Sequence, residues 1–345
     1  MRCLIIGQGI AGSVLAWTLK SRGVSVQLAD LQRTNSSSRV AAGIINPVTG
    51  KRFVKSWRFD DFYPVAKAVY QGMEQQWGVR IWTDHTILRL LDTPQEANDW
   101  SARLGMEGYE QILGQGTTPG SWAGLVQAGA AVGEIKHAAR VDFSALLHCQ
   151  ASEFQNSQDF QSGEISMAEA EQVAKEYDAV IFCEGAKGLN NPFFPNLPWQ
   201  LSKGEALLLQ LQSPPDFPLT EILKKHLLLA PLANGLVWAG SSYSWDFEDE
   251  QVTPAAQAML EERLAALLSV PFDIVQRYAA IRPTVKDRRP FLGQSTVHPK
   301  MFIFNGLGTK GALLAPYWAG HLAEHVLFSA DLDIEVDIRR FAGRL

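Results

Sequence analysis

Three glycines near the start of the chain have the spacing of a phosphate-binding loop. They follow the apolar run Cys3–Ile6, which predicts a buried parallel strand that ends at the loop. Gly7 would allow a tight turn, Gly9 would let the backbone approach a pyrophosphate, and Gly12 would let the next helix pack closely. The chemistry that this spacing predicts is the binding of a dinucleotide at the N-terminus of that helix.

An acidic residue stands at the distance expected for a ribose partner. After the glycines, a helix is predicted from Ala11 to Arg22, and the strand Val24–Ala29 leads to Asp30. Asp30 lies 23 residues beyond Gly7, close to the roughly 20 expected for a carboxylate that binds a ribose hydroxyl. The order of strand, glycines, helix, strand and acid therefore predicts a dinucleotide site rather than a structural glycine turn alone.

The composition indicates an ordinary globular protein. The chain has 345 residues, 46% hydrophobic and 19% charged, and this length predicts two domains. The net charge of −5 gives no general attraction to nucleic acid, so we expect no DNA partner. The three cysteines are scattered, and His321 and His325 lack a third ligand nearby, so we expect no metal site. No secretory signal and no transmembrane segment is recognised, which favours a cytoplasmic location.

Several later segments return to the nucleotide domain. The chain opens and closes with a strand, a glycine turn and a helix, because the strand Met301–Asn305 enters the turn Gly306–Gly311 and a helix to about Phe328. A serine-rich loop is predicted over 32–39, and short strands with glycine and proline turns over about 80–140. The other predicted elements are helices over 62–76 and 254–268 and strands over 177–183, 205–212, 227–230 and 236–242.

These motifs resemble those of the D-amino-acid oxidase superfamily of flavoproteins, which includes glycine oxidase and sarcosine oxidase. The opening loop with Asp30 is similar to the adenosine-diphosphate site of that family. Ser38–Ile44 is similar to its serine, alanine and glycine segment beside the flavin ring. The run Ile281–Gly293 is similar to its glycine-oxidase-like run of Arg-Pro, Thr, Asp, Pro and Gly, and Asn305–Pro316 is similar to its flavin-closing turn and helix.

The resemblance implies a noncovalently bound FAD. No cysteine stands near Ile281, where sarcosine oxidases tether their flavin. The chain departs from the family before Gly185, because Cys183 and Glu184 replace a small pair there. The residues expected to bind the cofactor are Gly7, Gly9, Ile10, Ala11, Gly12, Asp30, Ser38, Arg39, Ala42, Gly43, Ile165, Gly185, Gly306, Leu307, Gly308, Thr309, Lys310 and Gly311.

Arg282 is the expected anchor of the substrate. Flavin oxidation of an amine needs the C–H bond beside the nitrogen to be held against the cofactor in a dry site. A guanidinium fits a carboxylate bidentately, and the resemblance places the matching arginine at the substrate carboxylate. A structural salt bridge with Asp287 is the alternative.

Two further residues are candidates for the catalytic site. Tyr243 follows a predicted strand and could close the pocket and donate a hydrogen bond; an aromatic residue of the core is the alternative. Lys310 lies in the closing glycine turn, where it could approach the flavin pyrimidine edge or activate oxygen. A solvated lysine is the alternative for that position.

A second resemblance concerns RNA. Ala42–Pro47, followed by Lys51 and Arg52, is similar to the flavin half of a bifunctional tRNA wobble-uridine enzyme. Such an enzyme oxidatively removes a carboxymethyl group from an aminomethyl base. The basic cluster over 51–58 could hold an acidic substrate or an RNA backbone, with a solvated amphipathic face as the alternative. Its charged and aromatic members are Lys51, Arg52, Phe53, Lys55, Trp57 and Arg58.

The sequence thus predicts an α/β protein with a Rossmann-like FAD-binding domain and a second, α+β domain containing a mostly antiparallel sheet. The first domain is expected over 1–80, 140–200 and 280–345, and the substrate or cap domain over 81–139 and 201–279. The expected function is oxidation of the C–N bond of a small amine or amino acid to an imine, with oxygen or another electron acceptor. The alternatives are tRNA modification, flavin binding without turnover, and a nicotinamide dehydrogenase, against which the closing turn argues.

Overall fold

A computed structural model describes residues 1–50, 52–127, 131–212 and 218–342 of the protein. The strands of these residues are β1 (Arg2–Ile6), β2 (Ser25–Asp30), β3 (Ile44–Ile45), β4 (Val48–Thr49), β5 (Val54–Lys55), β6 (Trp82–Leu91), β7 (Leu113–Gly116), β8 (Ala131–Val141), β9 (Phe160–Ser162), β10 (Ala179–Phe182), β11 (Ser202–Leu211), β12 (Ile222–Lys224), β13 (Leu228–Pro231), β14 (Val237–Gly240), β15 (Phe272–Arg282), β16 (Phe291–Gln294) and β17 (Met301–Asn305). The α-helices are α1 (Ile10–Ser21), α2 (Ser37–Val40), α3 (Phe59–Trp77), α4 (Pro94–Leu104), α5 (Phe143–Asn156), α6 (Met167–Val173), α7 (Pro254–Ala265) and α8 (Gly311–Phe328).

The first sheet carries the opening strand at its centre. Its strand order is β16-β17-β10-β1-β2-β9, and all neighbours are parallel except β16 and β17. Cys3–Ile6 and Ala179–Phe182 are buried throughout, as continuous apolar runs in a covered parallel sheet should be. The order reverses at β1, so a crevice forms where β1 and β10 end, beside the start of α1.

The second sheet is larger and mostly antiparallel. Its order is β15-β11-β14-β13-β12-β6-β8-β3, with β7 beside β8, and only the β12–β6 pair among these described strands is parallel. Alternation along β11 sets its two faces. Gly204 and Ala206 face a cavity, whereas Glu205 accepts hydrogen bonds from the start of α7 on the other face.

Three features differ from the sequence-based expectations. The serine-rich loop ends in the short helix α2, because Ser36 begins a turn that closes through Ala41. The region over 80–140 contains two long paired strands, β6 and β8, rather than short ones. The other predicted strands and helices are present with ends displaced by a few residues. Such end positions depend on tertiary pairing more than on local pattern.

The division into domains stays a prediction. The six strands of the first sheet lie within 1–80, 140–200 and 280–345, and most strands of the second lie outside them. However, β3 belongs to the second sheet although it falls in the first segment. Among the helices of the described ranges, none is long and apolar enough to cross a membrane. The same ranges contain no cluster of His, Cys, Asp and Glu that could hold a metal ion.

Candidate active site between the two sheets

A cavity of about 450 Å³ is lined by residues of both sheets and of the loops beside them. One end, which we call the nucleotide end, is lined by the loops that follow β1, β2 and β10. The other end, which we call the sheet end, is lined by the second sheet from β12 to β15. The cavity therefore joins the predicted dinucleotide site to a surface built from distant parts of the chain.

The glycines of the opening loop are required by close approaches of the backbone. Gly7 has a φ of +109°, and a Cβ there would lie 2.4 Å from the carbonyl oxygen of Cys183. A Cβ on Gly12 would lie 1.8 Å from the carbonyl oxygen of Gly7. Any side chain at either position would push α1 or β10 away from β1, and the crevice would lose its shape.

The start of α1 is arranged to receive an anion. Its N-cap residue, Gly9, offers no side-chain cap to the first turn of the helix, so N–H groups at this helix end are left for a ligand. The N–H of Ile10 donates to Ser38 Oγ at 3.0 Å, which fixes the serine segment beside the loop. Asp30 ends β2, and its Oδ2 accepts from the N–H of Gln8 at 2.7 Å. A carboxylate has acceptor sites beyond those that the backbone uses.

A second helix also begins at the cavity. α8 starts at Gly311, and its N-cap residue Lys310 makes no side-chain cap. Gly308 has a φ of +58°, the left-handed conformation that the turn requires. Because Thr309 and Gly311 line the cavity, the positive end of the α8 dipole lies there.

Most of the predicted cofactor residues line this cavity. Those that do are Gly7, Gly9, Ile10, Ala11, Asp30, Ser38, Arg39, Ala42, Gly43, Ile165, Gly185, Leu307, Gly308, Thr309 and Gly311. Gly12, Gly306 and Lys310 are not among the lining residues. Gly12 packs α1 on the loop, and a Cβ on Gly306 would lie 2.7 Å from Val285 Cγ2, so both act through packing.

Charges of both signs line the nucleotide end. The acids are Asp30, Glu164 and Glu184, and the bases are Arg33, Arg39 and Lys187. Burial and the nearby Glu164 raise the pKa of Glu184, although its hydrogen bond from Asn191 opposes that rise. This mixture suits a ligand that presents hydroxyl groups as well as negative charge.

Arg282 faces the sheet end of the cavity. Its Nη2 donates to Ser241 Oγ at 2.7 Å and to the carbonyl oxygen of Ser242 at 3.2 Å, and its Nη1 donates to the carbonyl oxygen of Lys203 at 3.2 Å. These bonds leave two of its five N–H donors without an acceptor among the described residues.

No carboxylate neutralises this guanidinium within the described ranges. Asp287, the alternative partner that the sequence suggested, accepts instead from Arg340 Nε at 3.0 Å. Burial lowers the pKa of Arg282, which still stays charged. Arg282 is thus a fixed cation with free N–H donors that can bind an anion.

Tyr243 lies beside Arg282 at the sheet end. The Arg282 Cζ is 5.2 Å from the centre of the Tyr243 ring, a cation–π distance. The Tyr243 side chain lines the cavity and remains 49% exposed. This exposure leaves its hydroxyl free to reach a ligand at the cavity mouth.

Lys310 is not among the residues that line the cavity. Its Nζ donates to Ser56 Oγ at 2.8 Å, outside the cavity lining. Burial, Arg288 and Arg289 lower the pKa of Lys310 to about 8. The backbone beside Lys310 lines the cavity, whereas its side chain ties the closing turn to the loop before α3. The sequence does not determine the direction of this side chain, and its role at the cofactor stays a prediction.

The basic cluster over 51–58 is largely neutralised within the protein. Lys51 lies outside the described residues. Lys55 pairs with Asp60, and Arg58 pairs with Asp61 and Asp333 at 2.8 Å each. Phe53 is buried against Trp100. These contacts favour a structural role for the described part of the cluster.

Sequence reasoning missed Lys224 and the small residues around it. Lys224 ends β12 and lines the sheet end, together with Leu228, Gly204, Ala206, Trp238, Gly240, Ser241 and Ala280. A single lysine after two apolar residues carries almost no signal in the sequence. Its position in the cavity follows only from the pairing of strands far apart in the chain.

Comparison with protein families identifies the class that this fold and cavity define. A family model described as FAD dependent oxidoreductase, DAO, matches residues 2–325. The chain therefore belongs to the DAO family of FAD-dependent oxidoreductases.

Individual relatives are distant. The chain is 24% identical, over its whole length, to a tRNA 5-methylaminomethyl-2-thiouridine biosynthesis bifunctional protein MnmC from Caulobacter sp. (strain K31), and it spans 58% of the length of that relative. A solved glycine oxidase from Geobacillus kaustophilus superposes with a TM-score of 0.75, at 19% identity over 96% of this chain and 97% of the other. An iminodiacetate oxidase from Chelativorans sp. BNC1 gives a TM-score of 0.74, at 17% identity over 97% and 98%. Likeness at this level shows the fold alone.

FAD is the cofactor of this family, and the cavity fits it. The glycine cradle at Gly7 and Gly12 leaves room where the backbone must approach a pyrophosphate. The uncapped start of α1 would hold the pyrophosphate, Asp30 would hold the ribose, and the start of α8 would face negative charge on the ring. The donor set that these elements provide is the one that such a dinucleotide needs.

Proposed function

We propose that the protein oxidises the C–N bond of a small amine or amino acid that carries an acid group. The observation that carries this proposal is Arg282, a guanidinium held by Ser241 and the backbone at the sheet end of the cavity, without a carboxylate partner among the described residues. A charge kept in that state is suited to an anionic ligand. The structural likeness to glycine and iminodiacetate oxidases supports the same reading.

Three residues of the sheet end have a task in this proposal. Arg282 binds the substrate carboxylate and so fixes the neighbouring carbon against the cofactor. Tyr243 covers the cavity mouth and donates a hydrogen bond to the bound acid. Gly204 leaves space for the guanidinium, because a Cβ there would lie 1.8 Å from Arg282 Nη2. FAD, when bound, accepts the electron pair and the hydrogen that leave the substrate carbon.

A spectral titration of the FAD-loaded protein tests this function. A panel of amino acids and N-alkyl amino acids is added without oxygen, beside matched amines that lack the carboxyl group. We expect one acid-bearing pool to bleach the flavin absorbance, and its matched amines to fail. Bleaching by the matched amines alone would contradict the role of Arg282, and no bleaching by any pool would contradict oxidation of free amines.

A second candidate function is oxidative removal of a carboxymethyl group from an aminomethyl base of tRNA. The observation that favours it is the 24% identity with the MnmC relative over the whole of this chain. The carboxymethyl group would bind to Arg282, as a free carboxylate would. The net charge of −5 opposes general RNA binding.

The tRNA function is tested with an RNA substrate in the same spectral titration. An anticodon stem-loop carrying 5-carboxymethylaminomethyluridine is added in place of free amines, with the unmodified stem-loop as control. Bleaching by the modified RNA together with inert free amines would favour tRNA modification. The reverse pattern would favour a free substrate.

A further inference from the structure

One row of paired residues runs across β12, β13, β14 and β11 on the sheet face that lines the cavity, which we call the cavity floor. Lys224 pairs with Leu228, Leu228 pairs with Gly240, and Gly240 pairs with Ala206. Directly paired residues of neighbouring strands point to the same face of a sheet, and all four line the cavity. Lys224 is therefore at one end of a row on this face that continues through Leu228 to Gly240 and Ala206.

Arg282 belongs to the same face at the other end. Gly204 lies two residues before Ala206 and pairs with Ala280, which lies two residues before Arg282. Four strand steps separate β12 from β15, which is roughly 19 Å between backbones at about 4.8 Å a step. The Arg282 guanidinium crosses Gly204 to reach Ser241, and this shortens the gap across the strands to about two strand steps, roughly 10 Å, with a further offset of about two residues along them.

Lys224 has no hydrogen-bond or ion-pair partner for its ammonium group within the described ranges. The residue opposite it on β6 is Arg89, another cation, whose own charge is taken by Glu96 at 2.8 Å. Burial and Arg89 lower the pKa of Lys224 to about 8, so most of the group is charged at neutral pH. A half-buried cation beside a second cation is unfavourable unless a ligand supplies the opposite charge.

We propose that Lys224 binds a second acid group of the substrate, at the end of the cavity floor away from Arg282. The substrate is then an amine with two anionic groups, and the distal group is a carboxylate or a phosphate. This inference rests on the proposed function, because it assumes that the sheet end binds the substrate. Lys224 determines specificity, and Arg282 remains the anchor next to the reacting carbon.

The neighbouring Lys225 provides a matched control. It follows Lys224 in the chain, but its Nζ pairs with Asp92 at 3.0 Å, and it does not line the cavity. Lys225→Met therefore removes a lysine from the same turn without removing a charge from the cavity. Lys224→Arg keeps a charge at the tested position.

Binding of inert acids to the FAD-loaded protein tests the proposal without turnover. The dicarboxylates from succinate to pimelate, and the monocarboxylates of matched length, are titrated against the flavin spectrum. We expect one dicarboxylate to bind more tightly than its monocarboxylate. Lys224→Met should weaken that dicarboxylate about 10- to 100-fold, as the loss of a charge-assisted hydrogen bond does, and should change the monocarboxylate less than about 2-fold. Lys225→Met should change neither, and Lys224→Arg should restore part of the preference.

A second arm separates the two sources of the distal acid. Uridine 5′-monophosphate is compared with uridine in the same titration. A preference for the monophosphate that Lys224→Met abolishes assigns the distal group to a phosphate, and a preference confined to dicarboxylates assigns it to a carboxylate.

If the wild-type protein binds diacids and monoacids equally, and also binds uridine 5′-monophosphate and uridine equally, the proposal is overturned even if amines are oxidised. An unchanged diacid preference in Lys224→Met would also overturn it. A lower flavin midpoint potential in Lys224→Met, with no change in acid binding, would assign the charge to the cofactor instead. A Lys224-dependent diacid preference without oxidation of any amine would support this inference and contradict the proposed function.

Discussion

The nucleotide end and the sheet end of the cavity are built in opposite ways. At the nucleotide end, the groups available to a ligand are backbone groups beside glycines whose spacing is local, and acids and bases are mixed. At the sheet end, the described lining residues of strands β11 to β15 include two formally charged side chains, Arg282 and Lys224, and both are cations. These two cations are 58 residues apart in the chain, and strand pairing brings them to one face.

Under the proposed function, this difference separates the groups that hold the cofactor from the groups that select the substrate. Backbone N–H groups and close-packed glycines bind a constant ligand and tolerate little change. Side chains on a sheet face can change without disturbing the strand pairing beneath them, so they are where specificity can vary. Substitutions at the nucleotide end should therefore reduce FAD binding, whereas substitutions at the sheet end should reduce substrate oxidation. The size of each loss tests the comparison.

The largest expected effect is at the nucleotide end. Gly12→Val places a side chain where even a Cβ would lie 1.8 Å from the carbonyl oxygen of Gly7, so α1 must move and the crevice must open. We expect loss of FAD from the purified protein, measured as the ratio of flavin to protein absorbance. Gly320→Ala is the control, because Gly320 lies inside α8 and its closest neighbour to an added Cβ is 4.0 Å away. Full FAD content in Gly12→Val would contradict the requirement for a glycine where α1 packs on the opening loop.

A smaller effect, on substrate oxidation without loss of FAD, is expected when Arg282 at the sheet end is replaced. Arg282→Met removes the cationic partner of the substrate acid and should lower kcat/KM for an acid-bearing amine roughly 10²- to 10³-fold, with FAD content unchanged. Arg282→Lys keeps the charge without the fork and should recover only part of that loss. Arg277→Met is the control on the same strand, since Arg277 is exposed and pairs with Glu261. An unchanged kcat/KM in Arg282→Met would remove Arg282 from the site.

The two ends also differ in how far the sequence predicts them. The strand, loop, helix and acid at the nucleotide end are contiguous, so Gly7, Gly12 and Asp30 were predictable from spacing, and the structure places them at one crevice. Arg282 was predictable only through a motif, and Lys224 was not predictable. The position of Lys224 in the cavity depends on β12 pairing with β13 and β6, which are contacts that no local pattern encodes.

Lys310 shows the limit of motif reasoning within a well-predicted turn. The glycines on either side of it determine the backbone path, and Gly308 and Gly311 line the cavity as expected. The direction of the lysine side chain is determined by Ser56, which is 254 residues away in the chain. A motif thus predicts where a backbone lies more securely than where its long side chains point.

The smallest expected effect is on the free energy of unfolding, which the half-buried charge of Lys224 lowers. Lys224 has a pKa of about 8 in the folded protein, against an ordinary value of 10.5, because burial and Arg89 disfavour its charged form. Between these two pH values the unfolded chain binds more protons than the folded one, so the free energy of unfolding rises with pH through this window. Below pH 8 the charge costs up to about 3 kcal/mol, which is the free-energy equivalent of that fall in pKa.

Lys224→Met should therefore stabilise the protein while it weakens diacid binding. We expect the free energy of unfolding in urea to rise by about 1–3 kcal/mol at pH 7, and the difference from wild type to shrink as the pH approaches 10. The charged groups around this position, Arg89, Glu96 and Lys225, are the same in both proteins, and so is Lys310, whose pKa is also about 8. Their titration cancels in the difference. A variant that is less stable than wild type at pH 7 would show that Lys224 stabilises the fold. Lys224 would then not be a residue kept for substrate selection at the sheet end.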